Sequence, residues 1–139
     1  MTSTQSEIRA FLDSRSEAIS TGDLDRLMSF YSPDIVYFDI VPPLQYVGSA
    51  ALRERFSHWF DGFEGPIGQE VHDLSIVTSG DVAVASMLIR ASGPGRSEAR
   101  LDFAYARPPA FNGRWLITHE HVSLPVDLAR GSAVTNLAP

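Results

Sequence analysis

The segment TGDLDRLMSFYSPDIVYFD, from Thr21 to Asp39, contains the change from helix to strand on which the fold depends. Gly22 is typical of a helix end, and Asp23 is typical of the cap of a second helix, which is expected to carry Tyr31 and to end at Pro33. The β-branched and aromatic residues from Ile35 to Val41 then predict a strand. Asp39 interrupts this apolar run as either a solvated turn residue or an acid held in a pocket, and the apolar neighbours favour the pocket.

The elements on either side predict an α+β fold. Upstream, a helical face carries Ile8, Phe11, Leu12, Arg15 and Ile19. Downstream, Ser49 begins a third helix. Four strands are then predicted from alternation and turn residues, namely Gln69 to Val77, Val82 to Ala91, Ala99 to Arg107 and Trp115 to Leu124. Early helices and late strands predict three helices that cover a curved antiparallel sheet and leave a cone with an open mouth.

Composition excludes several classes of function. The 139 residues predict a single domain, 1–139, with 126–139 as a flexible tail. A net charge of −6 argues against nucleic acids and anionic membranes as partners. Cysteine is absent, which excludes disulfides and thiolate catalysis. The N-terminus lacks a basic segment followed by an apolar one, so we expect a cytoplasmic protein.

Three stretches of the sequence resemble a known family. They are Thr21 to Asp39, the glycine-led helix GSAALRERFSHWF that starts at Gly48, and the closing strand GRWLITHEHVSLP from Gly113 to Pro125. They resemble the SnoaL-like branch of the NTF2-like superfamily, which also contains steroid isomerases. The resemblance implies a conical fold without a metal or other cofactor. It does not fix the function, because the superfamily includes isomerases, cyclases, dehydratases, epoxide hydrolases and non-enzymatic binding modules.

The resemblance implies a role for Asp39. In the steroid isomerases, the general base is an aspartate at the end of the first strand, followed by a proline-containing loop and a glycine. Asp39 and Gly48 match those positions, so Asp39 is expected to face the cone. The two oxyanion-binding positions of the isomerases fall on Arg15 and Tyr105. A tyrosine hydroxyl can still donate to a developing oxyanion, but the isomerase pair is missing, so steroid isomerisation itself is not implied.

Alternation along the closing strand sorts its residues into two faces. One face carries Trp115, Ile117, His119 and His121, and the other carries Thr118, Glu120 and Val122. Two histidines at this spacing can hold zinc, with His72 or Asp102 as a further ligand, but no zinc motif accompanies them. The resemblance implies that the Glu120 face points into the cone and that the histidines lie on the outer face, where two copies would form a homodimer.

These arguments predict a set of site residues. Asp39, Tyr105 and Glu120 are the expected catalytic residues, without a metal. The expected ligand-binding residues are Tyr37, Arg15, Phe56, Trp59, Phe103, Thr118 and Val122. Two alternatives stay open, namely that Tyr37 is ordinary core and that Glu120 forms a salt bridge with Arg15.

Two functions follow from these predictions. The first is a cofactor-independent enzyme that transfers a proton on a carbonyl, polyketide or terpenoid-like compound, as an isomerase, cyclase or lyase. The alternative is a non-catalytic module of the same fold that binds a small ligand or dimerises. A roomy apolar pocket with converging polar groups would favour the enzyme.

Overall fold

The computed structural model describes residues 3–63, 65, 67–91, 98–107 and 113–134. Within these ranges the chain forms three helices and eight strands. The helices are α1 (Ser3–Ser20), α2 (Leu24–Met28) and α3 (Ser49–Asp61). The strands are β1 (Tyr31–Phe38), β2 (Gln45–Val47), β3 (Gln69–Ser79), β4 (Val82–Ala91), β5 (Glu98–Ala106), β6 (Leu116–Ser123), β7 (Val126–Asp127) and β8 (Ser132–Ala133).

The first six strands form one sheet in the order β2-β1-β6-β5-β4-β3. Strands β3 to β6 pair antiparallel with their neighbours, as predicted. The exception is β1, which pairs parallel with β6 and thereby places the early strand beside the closing one. The predicted α+β fold, with three helices on a curved sheet, is confirmed. None of the described helices combines the length and apolar character needed to cross a membrane.

The helix-to-strand segment differs from its prediction at both ends of the strand, because β1 begins before Ile35 and ends at Phe38, before Val41. Tyr31 was expected on the second helix, but α2 ends at Met28 and Tyr31 begins β1. The pairing of β1 with β6 is irregular between Tyr31 and Val36. A strand that is interrupted by Pro33 loses its regular alternation, which explains why the sequence pattern indicated a helix here.

Gly48 allows the chain to pass from β2 into α3. Its φ of 89° and ψ of 151° lie in a region that is essentially restricted to glycine. The side chain of any other residue would strain this entry, and α3 carries two residues of the site described below. The glycine is therefore explained by backbone geometry.

The closing strand contains a β-bulge that the alternation rule did not reveal. Tyr105 pairs with Ile117, while the adjacent Ala104 pairs with His119, so Thr118 is an extra residue in β6. Ile117 is consequently fully buried on the inner side, and Trp115 is also buried. The prediction that both lie on the outer face with the histidines is wrong, because the bulge reverses the side of every residue before it.

The segment 126–139, predicted as a flexible tail, contains a small hairpin. Strands β7 and β8 pair antiparallel, and Val134 donates a backbone hydrogen bond to the Pro125 carbonyl at 2.8 Å. Residues 135–139 lie outside the described part of the chain.

Candidate functional site

The centre of the site is Glu120, a carboxylate with only 1% exposure. In the sheet it lies between two aromatic residues, because the register pairs it with Tyr37 of β1 on one side and Phe103 of β5 on the other. The parallel β1–β6 pairing thus brings an early tyrosine beside a late carboxylate. Such a group is costly to bury unless it is paired and hydrogen-bonded.

Arg15 supplies the opposite charge from helix α1. The guanidinium Nη2 lies 3.4 Å from Glu120 Oε2, and Nε donates to the Tyr31 hydroxyl at 3.1 Å. The cation also packs over the Phe103 ring, 4.8 Å from its centroid. Arg15 reaches this position because it shares the apolar face of α1 with Leu12 and Ile19. The predicted alternative of an Arg15–Glu120 salt bridge is confirmed.

Two tyrosines complete the surroundings of Glu120. The Tyr31 hydroxyl donates to Oε1 at 2.5 Å, and Tyr37 lies beside Glu120 in the sheet. Burial raises the pKa of Glu120 above its ordinary value of 4.5, and Arg15 and the two tyrosines only partly oppose the rise. Burial also raises the pKa of both tyrosines, so they remain neutral donors.

Asp39 lies at a second position in the same site, directly after β1. Arg55 Nε of α3 donates to Oδ2 at 2.7 Å, and the Ile40 backbone N–H donates to Oδ1 at 2.7 Å. The residue is buried, while the Arg55 side chain is partly exposed. Asp39 therefore combines both predicted alternatives, because one oxygen accepts from a turn N–H and the residue also lines a pocket.

A cavity of about 170 Å³ connects these groups. Its polar lining comes from Arg15, Tyr37, Asp39, Gln69 and Glu120, and its apolar lining from Ile40, Trp59, Ile89, Ala99, Leu101 and Val122. Asp39, Ile40 and Val122 also line an adjoining, more open groove of about 490 Å³. Asp39 thus stands between the enclosed cavity and an open surface.

Of the predicted site residues, Asp39, Glu120, Tyr37, Arg15, Trp59 and Val122 line this cavity. The prediction needs correction for the other four, which lie outside its lining. Phe56 packs behind Tyr37, with ring centroids 5.7 Å apart, and Phe103 supports Arg15. Thr118 occupies the bulge and donates to the Ala104 carbonyl at 3.3 Å.

Tyr105 is the fourth predicted site residue that lies outside the cavity lining. It is buried in the core, and its ring contacts Phe11 and Phe103. Its hydroxyl has no hydrogen-bond partner in the described part of the chain. Burial raises the pKa of Tyr105, so the hydroxyl stays neutral. The structure therefore offers it no contact with a ligand in the cavity.

Tyr105→Phe is accordingly expected to leave the free energy of unfolding unchanged or to raise it by up to about 1 kcal/mol, because it removes an unsatisfied buried hydroxyl. The matched control is Tyr31→Phe, which removes a hydroxyl with two charged partners and should cost about 1–3 kcal/mol. Urea denaturation of both variants measures the difference. A loss for Tyr105→Phe as large as that for Tyr31→Phe would show that its hydroxyl is bonded.

Two polar residues of the site were missed by the sequence analysis, namely Gln69, which lines the cavity, and Arg55, which binds Asp39. Arg55 lies on the face of α3 that carries Leu52 and Trp59, so its helical spacing was an available signal. Gln69 begins β3 opposite Ala91, and no motif marks it. An arginine on an apolar helix face usually has a buried partner, which here is Asp39.

The two histidines of the closing strand lie away from the cavity. His119 contacts the Phe38 ring, and His121 Nδ1 lies 3.4 Å from Asp102 Oδ2. Among the residues described by the structure, no three histidine, aspartate or glutamate side chains come together as a metal site.

The SnoaL-like domain family matches residues 8–127. The chain belongs to the SnoaL-like family. A comparison with curated proteins finds no match. The match and the fold confirm the resemblance found in the sequence.

Solved structures similar to this SnoaL-like protein include an NTF2-like protein of unknown function from Pseudomonas putida KT2440. It is 29% identical, with a TM-score of 0.91, and the match covers 100% of this chain and 99% of that one. A protein from Parabacteroides distasonis, provisionally named a ketosteroid isomerase, is 17% identical with a TM-score of 0.69 and coverage of 92% and 88%. An NTF2-like protein from Streptomyces avermitilis, provisionally named a dehydratase, is 15% identical with a TM-score of 0.72 and coverage of 85% and 93%. The last two likenesses show the fold alone.

Proposed function

We propose that the protein is a cofactor-independent enzyme that transfers a proton on a small, mostly apolar carbonyl compound, with Asp39 as the acid–base residue. The observation that carries the proposal is the placement of the Asp39 carboxylate at the wall of a cavity that also has six apolar lining residues. Arg55 and the Ile40 N–H hold the two oxygens in place, and each oxygen keeps a lone pair for a substrate proton. A fixed carboxylate within reach of a bound carbon acid is what general base catalysis requires.

Glu120 has a different role in this proposal. Arg15 and Tyr31 already bind its two oxygens, so it is a positioning residue that fixes Arg15 at the cavity wall. Tyr37 pairs with Glu120 in the sheet and lies two residues before Asp39, and both residues line the cavity. The buried cluster thus holds one wall of the cavity rigid while Asp39 does the chemistry.

The dimensions of the cavity limit the substrate. A volume of about 170 Å³ is close to the roughly 150 Å³ that holds a benzene ring in an apolar protein cavity. A single six-membered ring is therefore the expected size for the enclosed part of a substrate. The adjoining groove has room for a substituent. The provisional names isomerase and dehydratase among the structural relatives are compatible with such a substrate.

Proton exchange provides a test that does not require the natural substrate. Cyclohexanone in heavy water exchanges its α-protons slowly, and we expect the protein to accelerate this exchange when it is followed by proton NMR. Toluene, which has a similar size and no acidic α-carbonyl proton, should inhibit the acceleration by filling the cavity. Exchange that is insensitive to toluene would place the reaction outside this cavity.

The non-catalytic alternative remains distinguishable. It is favoured by the observation that both cavity carboxylates already pair with arginines, as in a site built to bind a ligand without chemistry. Cyclohexanone binding detected by NMR without any accelerated exchange would support this alternative and overturn the enzymatic proposal.

We further propose that the protein is a homodimer that pairs through the outer face of the sheet. The register places one row of residues across this face, in the order Val77, Val84, Ala104, His119, Val36 and Val47. Val77 and Val47 are 64% exposed and Val84 is 50% exposed. A row with four valines, three of them at least half exposed, is poorly suited to water and well suited to a second copy of itself.

Val84→Glu is therefore expected to convert the dimer into a monomer, because two-fold symmetry brings the new charges close together in an apolar interface. Ala50→Glu, at an exposed position of α3, is the matched control and should leave the dimer intact. Sedimentation velocity at micromolar concentration measures both masses. A monomeric wild-type protein would contradict the proposal, and so would a Val84→Glu variant that remains fully dimeric.

A further inference from the structure

The open groove beside the cavity is lined mainly by apolar residues. It has a volume of about 490 Å³, and eight of the eleven described residues that line it are apolar. Asp39, Ile40 and Val122 line both the groove and the cavity, so the two spaces meet at the proposed acid–base residue. A ligand whose ring lies in the cavity can therefore extend past Asp39 into the groove.

The turn after β1 forms one wall of the groove. Ile40, Val41 and Leu44 line it, and Leu44 is 63% exposed. The φ of Leu44 is 87°, in a region that leucine rarely adopts. Two backbone hydrogen bonds hold it there, since its carbonyl accepts from the Asp39 N–H at 2.8 Å and its N–H donates to the Val41 carbonyl at 3.1 Å. Strained residues cluster at ligand-binding positions, so this exposed leucine favours a ligand in the groove.

The C-terminal hairpin forms a further wall. Strands β7 and β8 make a two-stranded sheet of their own, separate from the main sheet. Val126 and Ala133 are cross-strand partners in this hairpin, and both line the groove. Val126 is 57% exposed. The hairpin therefore contributes an apolar pair of side chains to the groove.

The groove has few charged groups. Apart from Asp39, His121 is the only ionisable side chain among the described residues that line it. His121 Nδ1 lies 3.4 Å from Asp102 Oδ2, so this nitrogen already has a carboxylate beside it. The part of a ligand that occupies the groove is therefore expected to be uncharged and apolar.

We propose that the substrate carries an apolar chain of several carbon atoms, which binds in the groove against the 40–44 turn and the β7–β8 hairpin while the ring occupies the cavity. The inference rests on the proposed function in placing the ring of the substrate beside Asp39. It adds that Leu44 and Val126 determine specificity by covering the chain. Burial of apolar surface provides the affinity, because each fully buried methylene strengthens binding about fourfold.

The probes are 4-alkylcyclohexanones with methyl, propyl and hexyl chains, because they share one ring and differ only in chain length. NMR titration measures their dissociation constants for the wild type, Leu44→Asn and Val126→Ser, and circular dichroism confirms that each variant is folded. Asparagine tolerates a positive φ better than leucine does, so Leu44→Asn removes the apolar side chain without adding strain. Val82→Ser is the matched control, because Val82 is 55% exposed and lies outside the linings of the cavity and the groove.

We expect the wild type to bind the hexyl compound at least about tenfold more tightly than the methyl compound, because the groove covers part of the longer chain. This ratio should fall about threefold or more in Leu44→Asn and in Val126→Ser, and it should keep its wild-type value in Val82→Ser. A wild-type ratio below about twofold would overturn the inference, and so would an unchanged ratio in both groove variants.

A second copy of the chain is the competing occupant of the groove. Sedimentation velocity of Leu44→Asn tests for it. If this substitution converts a dimer into a monomer and chain length has no effect on binding, the groove is a protein interface and the inference fails.

The outcome for the groove is separable from that for the enzymatic proposal. An affinity that grows with chain length through Leu44 and Val126, found together with no accelerated proton exchange, would support the groove and reject catalysis. Accelerated exchange of cyclohexanone with no effect of chain length on binding would do the reverse.

Discussion

Arg15→Met is expected to lower the free energy of unfolding by about 3–5 kcal/mol, because it leaves the Glu120 carboxylate buried without its cation. Arg15 also donates to the Tyr31 hydroxyl, and it covers the Phe103 ring, so the loss extends to the hydrogen-bond chain and its packing. Methionine keeps much of the length and apolar character of the arginine stem. Urea denaturation near neutral pH measures the change.

The matched control is Arg9→Met on the same helix. Arg9 is exposed and pairs with Asp13 at 3.5 Å, so its removal should change the stability by no more than about 0.5 kcal/mol. Adding Glu120→Gln to Arg15→Met should recover at least about 1 kcal/mol, since the amide carries no charge and still accepts from Tyr31. Equal losses for Arg15→Met and Arg9→Met would contradict the buried pair.

The cost of Arg15→Met should also depend on pH. The pKa of Glu120 is already raised by burial, and the loss of the Arg15 cation raises it further. Between its ordinary value of 4.5 and the raised value, the folded state binds more protons than the unfolded state, so stability falls as pH rises through that window. The variant should therefore lose less stability at about pH 5 than at about pH 8, and a cost independent of pH would contradict a buried, titrating Glu120.

Much of the fold was predictable because its signals are local. The alternation of β3 to β5 and the helical spacing of α1 and α3 are properties of neighbouring residues, and all were correctly assigned as elements. The spacing also placed Arg15 on the buried face of α1, which made its pairing with Glu120 foreseeable. The alternation of side chains along a strand was enough to predict that Tyr37 and Asp39 share a face.

The remaining features depend on long-range register. The bulge at Thr118 places Ile117 on the face of the sheet opposite to the one that simple alternation predicts. Only the pairing of β6 with β5 reveals this bulge. Tyr105 was correctly assigned to the inner face, but the aromatic packing that separates its hydroxyl from the cavity is a three-dimensional fact. Gln69 lines the cavity, and no sequence pattern marks it, because its position depends on the register of β3 against β4.

Asp39→Asn is expected to reduce the acceleration of cyclohexanone proton exchange by about a hundredfold or more, which is the usual loss when a general base is removed. The fold should survive, because asparagine has the same shape and its carbonyl can still accept from the Ile40 N–H. The amide cannot take up the substrate proton, so catalysis should fall even where the ligand is still bound.

Asp25→Asn offers a closely matched control. Asp25 also pairs with an arginine of α3, Arg53, but this pair lies on the surface. Asp25→Asn therefore removes the same charge and the same kind of partner without touching the cavity. Any effect of net charge or of a lost ion pair to α3 will appear in both variants, while an effect on a general base will appear only in Asp39→Asn.

The most direct test of the account is the rate of cyclohexanone α-proton exchange in heavy water, measured by NMR for the wild type, Asp39→Asn and Asp25→Asn at equal concentration. The account predicts acceleration by the wild type and Asp25→Asn, and a loss of about a hundredfold or more in Asp39→Asn. An Asp39→Asn variant that is folded and accelerates exchange as well as the wild type does would contradict it.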